Sequence, residues 1–297
     1  MPQTRVVVVG SANMDLVGTA PALPRARETV LGTDFVMVPG GKGANQAIAA
    51  ARAGASVVFL GAIGSDSFGV TLRARITAAG VDTGQLRVTY GPSGVALVMV
   101  DAEGENLILV TPGANASLVG LTDAELAAVR GADVMVAQLE IPVETVTEAA
   151  VAARSAGTRV VLNAAPARQV PAELLDLVDM LVVNEVEAAA LTGRGRAAPE
   201  ALLDLVPRAV LTLGADGAWY VDRDGTVAHV PAFEVEVVDS TAAGDAFTAA
   251  LAVAWGEGRD LLDAVRWAAA AGAACTRRLG ASVALPHRAE IDELHAR

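Results

Sequence analysis

The feature that most constrains this chain is a repeated switch of hydrophobic period. Short β-branched runs at 6–9, 57–60, 134–137, 159–162, 180–183 and 209–213 alternate with alanine-rich amphipathic stretches at 44–53, 68–79, 122–129, 143–156 and 185–191. Continuous apolar runs of this length read as strands buried on both faces, and a parallel sheet needs a crossover helix between each pair. Thr122 with Glu125 forms the sequence of a capping box, and Gly80 and Gly157 stand where helices stop. The expectation is an α/β fold: a three-layer sandwich with a mostly parallel central sheet, in a single domain over 1–297. Beyond 213 the rhythm changes to an edge hairpin, 218–221 and 226–230 around an Asp-Arg-Asp-Gly turn. Two long helices, 245–255 and 260–277, follow, and no repeat or low-complexity linker interrupts the chain.

One segment breaks the βα rhythm. Runs 95–101 and 105–111 flank a short polar turn and read as an antiparallel hairpin whose successive positions are all apolar. Both faces of such a hairpin need cover. One face could close over a ligand and the other pack on a second copy of the chain; burial of both within the main body is the plainer alternative.

Composition narrows the function classes. Lys plus Arg number 22 against 34 Asp plus Glu, a net charge of −12, which disfavours nucleic acid and anionic membrane surfaces as partners. Aromatic content of 3% leaves little for stacking on exposed bases. The most apolar stretch, 246–256, is far shorter than the ~20 residues of a spanning helix. The first strand begins at once, without a secretory pattern, so a soluble cytoplasmic protein is expected. A single cysteine, Cys275, cannot make an intrachain disulfide or a multi-thiolate metal site and reads as a small core residue. His229, His287 and His295 lack metal-ligand spacing and read as surface residues. Lysine occurs once, at Lys42, inside Gly40-Gly41-Lys42-Gly43.

Three motifs carry chemistry. In 238–247 a strand-like run ends at Asp239, small residues Ala242, Ala243 and Gly244 follow, and a long apolar helix begins with Asp245 in its first turn. Bare backbone N–H groups at a helix N-terminus suit the charge of a phosphoryl group in transfer, and the neighbouring carboxylate can take a hydroxyl proton late in a loose transition state. A capped helix with an acid placed for the dipole would present the same residues, and spacing alone leaves both readings open. The second motif, 39–46, places Gly41, Lys42 and Asn45 at a helix start; it is neither a Walker A loop nor a dinucleotide fingerprint. The third, Asn13 and Asp15 after the first strand, supplies the amide and carboxylate that suit vicinal hydroxyls. Glu140, Asn184, Glu187, Thr212, Gly214 and Gly217 also follow strands, and open α/β sheets bind ligands at that edge.

Segments 39–46 and 239–245 together resemble the paired N- and C-terminal signatures of the ribokinase-like carbohydrate kinases. The resemblance runs in order along nearly the whole chain, and Asn13-Met14-Asp15 with Gln138-Leu139-Glu140 resembles the ribose-phosphorylating branch more than fructokinases or adenosine kinases. It implies transfer of phosphate from ATP to the 5-hydroxyl of D-ribose; deoxyribose, a ketohexose or a keto-deoxy sugar acid is the alternative acceptor. By the same resemblance Asp245 is the catalytic base and Ala242, Ala243 and Gly244 the anion hole. Asn13, Asp15, Gly41, Lys42, Asn45 and Glu140 would contact the sugar, and Asn184, Thr212, Gly214, Gly217 and Gly244 the ATP. Glu187 would organise Mg2+ through water. Asp239 and Thr241, with carbonyls of Ala274, Arg277 and Gly280, would hold an activating K+. Segments 13–40 and 90–112 would form a lid that also makes a homodimer. Two positions depart from the family pattern: Ala284 replaces a serine of the K+ loop, and Ala268 an Asn or His at the adenine edge.

Overall fold

The computed structural model describes residues 3–195 and 198–297. Strand β1 (Arg5–Val9) ends at the carboxyl edge of the main sheet. The chain then leaves that sheet for β2 (Asn13–Thr19) and β3 (Asp34–Gly40) and returns through helix α1 (Lys42–Arg52) to β4 (Ser56–Leu60). A short parallel pair, β5 (Ala62–Gly64) and β6 (Arg87–Thr89), brackets α2 (Ser67–Ala78). The apolar hairpin follows as β7 (Gly94–Val100) and β8 (Asn106–Thr111).

From there the βα rhythm is regular. Helix α3 (Asp123–Arg130) precedes β9 (Val134–Ala137), α4 (Val143–Ala156) precedes β10 (Arg159–Asn163), and the one-turn α5 (Ala172–Leu175) precedes β11 (Met180–Asn184). Helix α6 (Glu185–Thr192) leads on toward β12 (Arg208–Thr212). The expected capping box at Thr122 is present, and Gly157 ends α4 in the left-handed region, which glycine adopts without strain. The edge hairpin is β13 (Ala218–Asp222) and β14 (Val227–Val230); α7 (Ala243–Gly256), α8 (Leu261–Cys275), α9 (Ala281–Ala284) and α10 (Arg288–His295) close the chain.

The main sheet runs β14-β13-β12-β11-β10-β9-β1-β4, parallel from β12 to β4 with the hairpin antiparallel at one edge. Strand period splits its apolar residues between two cores. Val6 and Val8 face α1, α7 and α8 with Ile48, Leu251 and Trp267, whereas Val7 and Val9 face the α4 side with Val146 and Ala150. The result is the expected helix–sheet–helix sandwich.

The second sheet has the order β3-β2-β7-β8, so the hairpin is completed by β2 and β3 rather than standing alone. Its register puts Asp15 in line with Val38, Ala96 and Val110 on one face. Phe35, Met37, Leu97, Met99, Leu107 and Leu109 lie on the other, and all six are exposed.

Several local expectations are corrected. The run before Asp239 is not a strand: among the described residues the main sheet ends at β14, and the Val238 and Asp239 N–H groups bond to Thr276 O at the end of α8. Ala268 and Ala284, the two departures from the family pattern, are buried in the core on the side of α1 and α7. Cys275 is buried, as expected, while His295 is only half-buried and pairs with Asp263. No helix among the described residues is long and apolar enough to cross a membrane.

Candidate active site

The N-terminus of α7 meets the start of α1 beside the carboxyl ends of β9 and β10, where Gln46 bonds to Asp245, to Asn163 and to Gln138. Asp245 lies in the first turn of that helix, buried, with both carboxylate oxygens engaged. Asn45 Nδ2 donates to Oδ2 at 3.0 Å and Gln46 Nε2 to Oδ1 at 2.9 Å. Burial pushes the Asp245 carboxyl above the ordinary range, against the pull of Lys42 and the two amide donors. Helix α7 enters through Ala242, an N-cap residue held at φ 63° in the left-handed region, where alanine is strained. Gly244 is exposed, and a Cβ there would meet nothing within 4 Å, so the first turn of α7 is open at this residue. Of the three residues expected to make the anion hole, Ala243 already gives its N–H to Ser240 O at 3.2 Å.

On the other side of Asp245 a carboxylate cluster surrounds one cation. Glu140 Oε2 accepts from Ser11 Oγ at 2.5 Å, from the Lys42 backbone N–H at 3.2 Å and from Asn13 Nδ2 at 3.4 Å. The Lys42 ammonium is disfavoured by burial, yet the fields of Asp245, Glu140, Glu187 and Asp15 outweigh this and raise its pKa. Asp15 is pushed up to about 7, first by burial and then by repulsion from Glu140 and Asp245, with Lys42 opposing. The glycines of the second motif make this crowding feasible. A Cβ at Gly40 would sit 2.2 Å from Asp15 Oδ2, and Gly41, at φ 90°, would press a Cβ to 2.6 Å from the Asn13 backbone N. Asn115 ties the strand end down, accepting from the Ala12 N–H and donating to Asn13 Oδ1 at 2.7 Å.

Toward the free edge of the sheet, Asn184 and Glu187 form a reciprocal capping box on α6. Burial raises the Glu187 carboxyl, with the Asn184 N–H and Lys42 opposing. Thr212 Oγ1 donates to Val183 O, Gly214 starts the next turn at φ 58°, and Gly217 packs so tightly that a Cβ would meet Val230 O at 2.1 Å. Gly217 is thus buried structure, while Asn184 and Gly214 are exposed.

The expected K+ residues are brought together only in part. Asp239 Oδ1 accepts from the Thr241 N–H and hydroxyl, and Oδ2 accepts from the Gly280 N–H at 2.8 Å. Those bonds hold the Asp239 carboxyl below its usual range despite partial burial. An ionised carboxylate is an oxygen donor suited to a hard cation, although the groups bonded to Asp239 here are N–H and O–H donors. Ala274 is buried with its carbonyl accepting from Arg277 N, and Arg277 itself is exposed. Among the described residues no cluster of three or more His, Cys, Asp or Glu could hold a metal by itself. Glu187, with one oxygen bonded to the Asn184 N–H, fits Mg2+ bound mainly through phosphates and water.

The model of the pfkB family carbohydrate kinases matches residues 3–288. The chain belongs to that family. The chain is 41% identical to a ribokinase of Bacillus subtilis over 97% of its own length and 98% of the relative's. The structure of Arabidopsis thaliana ribokinase complexed with ribose and ATP superposes with a TM-score of 0.93 at 32% identity, covering 100% of both chains. Cryptococcus neoformans ribokinase in complex with ADP gives 0.84 at 29% identity, over 98% of this chain and 99% of that one.

In this pfkB-family kinase the sequence motifs account for Asn13, Asp15, Lys42, Asn45, Glu140 and Asp245, all of which converge. They give no role to Gln46, although it closes the 39–46 motif, nor to Ser11, Asn115 or Asn163; the side chains of these four bond to those residues or to one another. Gln46 follows Asn45 directly, and neighbours on a helix do not normally share a face; only the packing of α7 against α1 brings both amides to one carboxylate.

Proposed function

We infer that this chain is a ribokinase, transferring the terminal phosphate of ATP to the 5-hydroxyl of D-ribose. The observation that carries the reading is the buried Asp245 carboxylate beside the open first turn of α7, with the Asp15–Glu140–Lys42 cluster on its other side. A hydroxyl presented between Asp15 and Asp245 gives up its proton to Asp245 as its oxygen bonds the terminal phosphorus and the bond from that phosphorus to the β,γ-bridging oxygen breaks, releasing ADP. The N–H groups around Gly244 meet the charge that develops on the phosphoryl oxygens. Asn184, Thr212 and Gly214 would line the nucleotide. Mg2+, near Glu187, would neutralise phosphate charge, and K+, at Asp239 and Thr241, would stabilise the loop that carries the anion hole.

Three carboxylates against one lysine favour a neutral polyol over a keto-deoxy sugar acid, whose own carboxylate would meet Asp15, Glu140 and Asp245. The four-stranded sheet acts as a lid: its Asp15 face closes on the sugar, and its exposed opposite face pairs with a second copy to form a homodimer. A cytoplasmic location, where ATP is abundant, fits this use.

The test is ATP consumption across ribose, deoxyribose, fructose and a keto-deoxy sugar acid, run in K+ and then Na+. Ribose should give the highest kcat/KM, with higher turnover in K+. Asp245→Asn should retain ribose binding while kcat falls about 10²–10⁴-fold; near-normal turnover would refute the base assignment.

A further inference from the structure

Behind Asp245, three side-chain amides, Asn163, Gln46 and Gln138, form a chain with only one consistent polarity. Asn163 Nδ2 donates to Val182 O at 3.1 Å, and a backbone carbonyl can only accept. Asn163 Oδ1 is therefore the acceptor facing Gln46 Nε2, at 3.1 Å. The same Nε2 donates to Asp245 Oδ1 at 2.9 Å, so both Gln46 hydrogens are committed. Gln46 Oε1 takes the hydrogen of Gln138 Nε2 at 2.5 Å. A flipped Gln46 would put an oxygen against both Asn163 Oδ1 and Asp245 Oδ1 and face two N–H groups toward each other. Gln46, Gln138, Asn163 and Asp245 are all buried, so a flip would leave these groups mispaired in a low-dielectric interior. Gly10 makes the room, since a Cβ there would lie 2.0 Å from Gln138 Oε1.

We propose that Gln46 is a positioning residue for phosphoryl transfer: anchored through Asn163 to the main chain of β11, it holds one carboxylate oxygen of Asp245 and leaves the remaining lone pairs aimed at the acceptor hydroxyl. Asn45, on the other oxygen, is also one of the proposed sugar contacts, whereas both ends of the Gln46 amide are taken up by Asp245, Asn163 and Gln138, so its loss should leave sugar affinity intact. Its N–H stabilises the ionised form of Asp245, in a field set by Lys42, Asp15, Glu140, Glu187 and the Cys275 thiol. The proposal rests on Asp245 being the base.

The experiment compares wild type, Gln46→Met, Gln46→Glu and Asp245→Asn, measuring ribose binding by calorimetry and kcat from pH 5 to 9 at saturating ribose and Mg-ATP. Met keeps the volume and removes the donor; Glu keeps the acceptor for Gln138 and sets a second carboxylate against Asp245. Expected for Gln46→Met is a kcat lowered about 10–100-fold, ribose KM within about threefold, and an acid limb of kcat moved up by roughly one pH unit. The limb should move further in Gln46→Glu, where two carboxylates share a proton. Should Gln46→Met fail to fold, Asn163→Leu carries the test: it leaves Gln46 in place without its anchor and should lower kcat with unchanged KM. Wild-type kcat and an unmoved limb in folded Gln46 variants, with Asp245→Asn inactive, would overturn the positioning role alone. Full activity of Asp245→Asn would overturn the base assignment and the proposal with it.

Discussion

Replacing Asp15 by Asn should stabilise the ligand-free protein while removing a sugar contact, and the gain should grow with pH. Asp15 holds its proton up to about 7 in the fold, against 3.8 for a free side chain, because burial and the charges of Glu140 and Asp245 oppose its ionisation. A gap of that size corresponds to about 4 kcal/mol at about 1.4 kcal/mol per pH unit. The folded chain therefore binds the extra proton between about pH 4 and 7, so this residue's contribution to stability falls as pH rises through that window and is level above it. About 2 kcal/mol of the penalty is present at pH 5, where only the unfolded chain has ionised, and about 4 kcal/mol by pH 8. Asn carries no charge at either pH. Scanning calorimetry without ribose should show Asp15→Asn melting above wild type at both, with the difference wider by roughly 3 °C at pH 8. Ribose should stabilise wild type and fail to stabilise the variant. A Tm difference equal at pH 5 and pH 8, or a variant melting lower at pH 8, would refute the electrostatic account of the cluster.

Gly10→Ala should lower both Tm and kcat, because its Cβ would meet Gln138 Oε1 at 2.0 Å and the Gly43 Cα at 2.8 Å, and the second is backbone that cannot step aside; thermal melts and steady-state rates check this. Arg87→Met should cost about 3 kcal/mol by leaving the buried Glu125 carboxylate without its ion pair, read as a fall in the denaturant midpoint with ribose KM unchanged. Leu109→Asp, at a position 60% exposed on the outer face of the four-stranded sheet, should convert a dimer to a monomer in sedimentation velocity; an unchanged sedimentation coefficient would place the dimer contact elsewhere.

Local pattern determined a good deal here. Period-2 valines facing both ways along β1, and alanine-rich stretches capped at Thr122 and stopped at Gly157, are decided within a few residues, so the layered fold was legible from the chain. Glycine followed by the lone Lys42, and small residues before Asp245, likewise marked both halves of the site. The run before Asp239 misled because strand propensity is expressed only where a neighbouring strand exists, and the sheet ends at β14. What the tertiary structure alone decided is long-range. Lys42 and Asp245 are some two hundred positions apart, yet the field that lifts Asp15, and the amides that grip Asp245, exist only when α1 packs on α7 and the second sheet folds across the strand ends. Propensity acts between neighbours in the chain. Charge repulsion, burial and hydrogen-bond polarity act between neighbours in space, and no short window of sequence contains both partners.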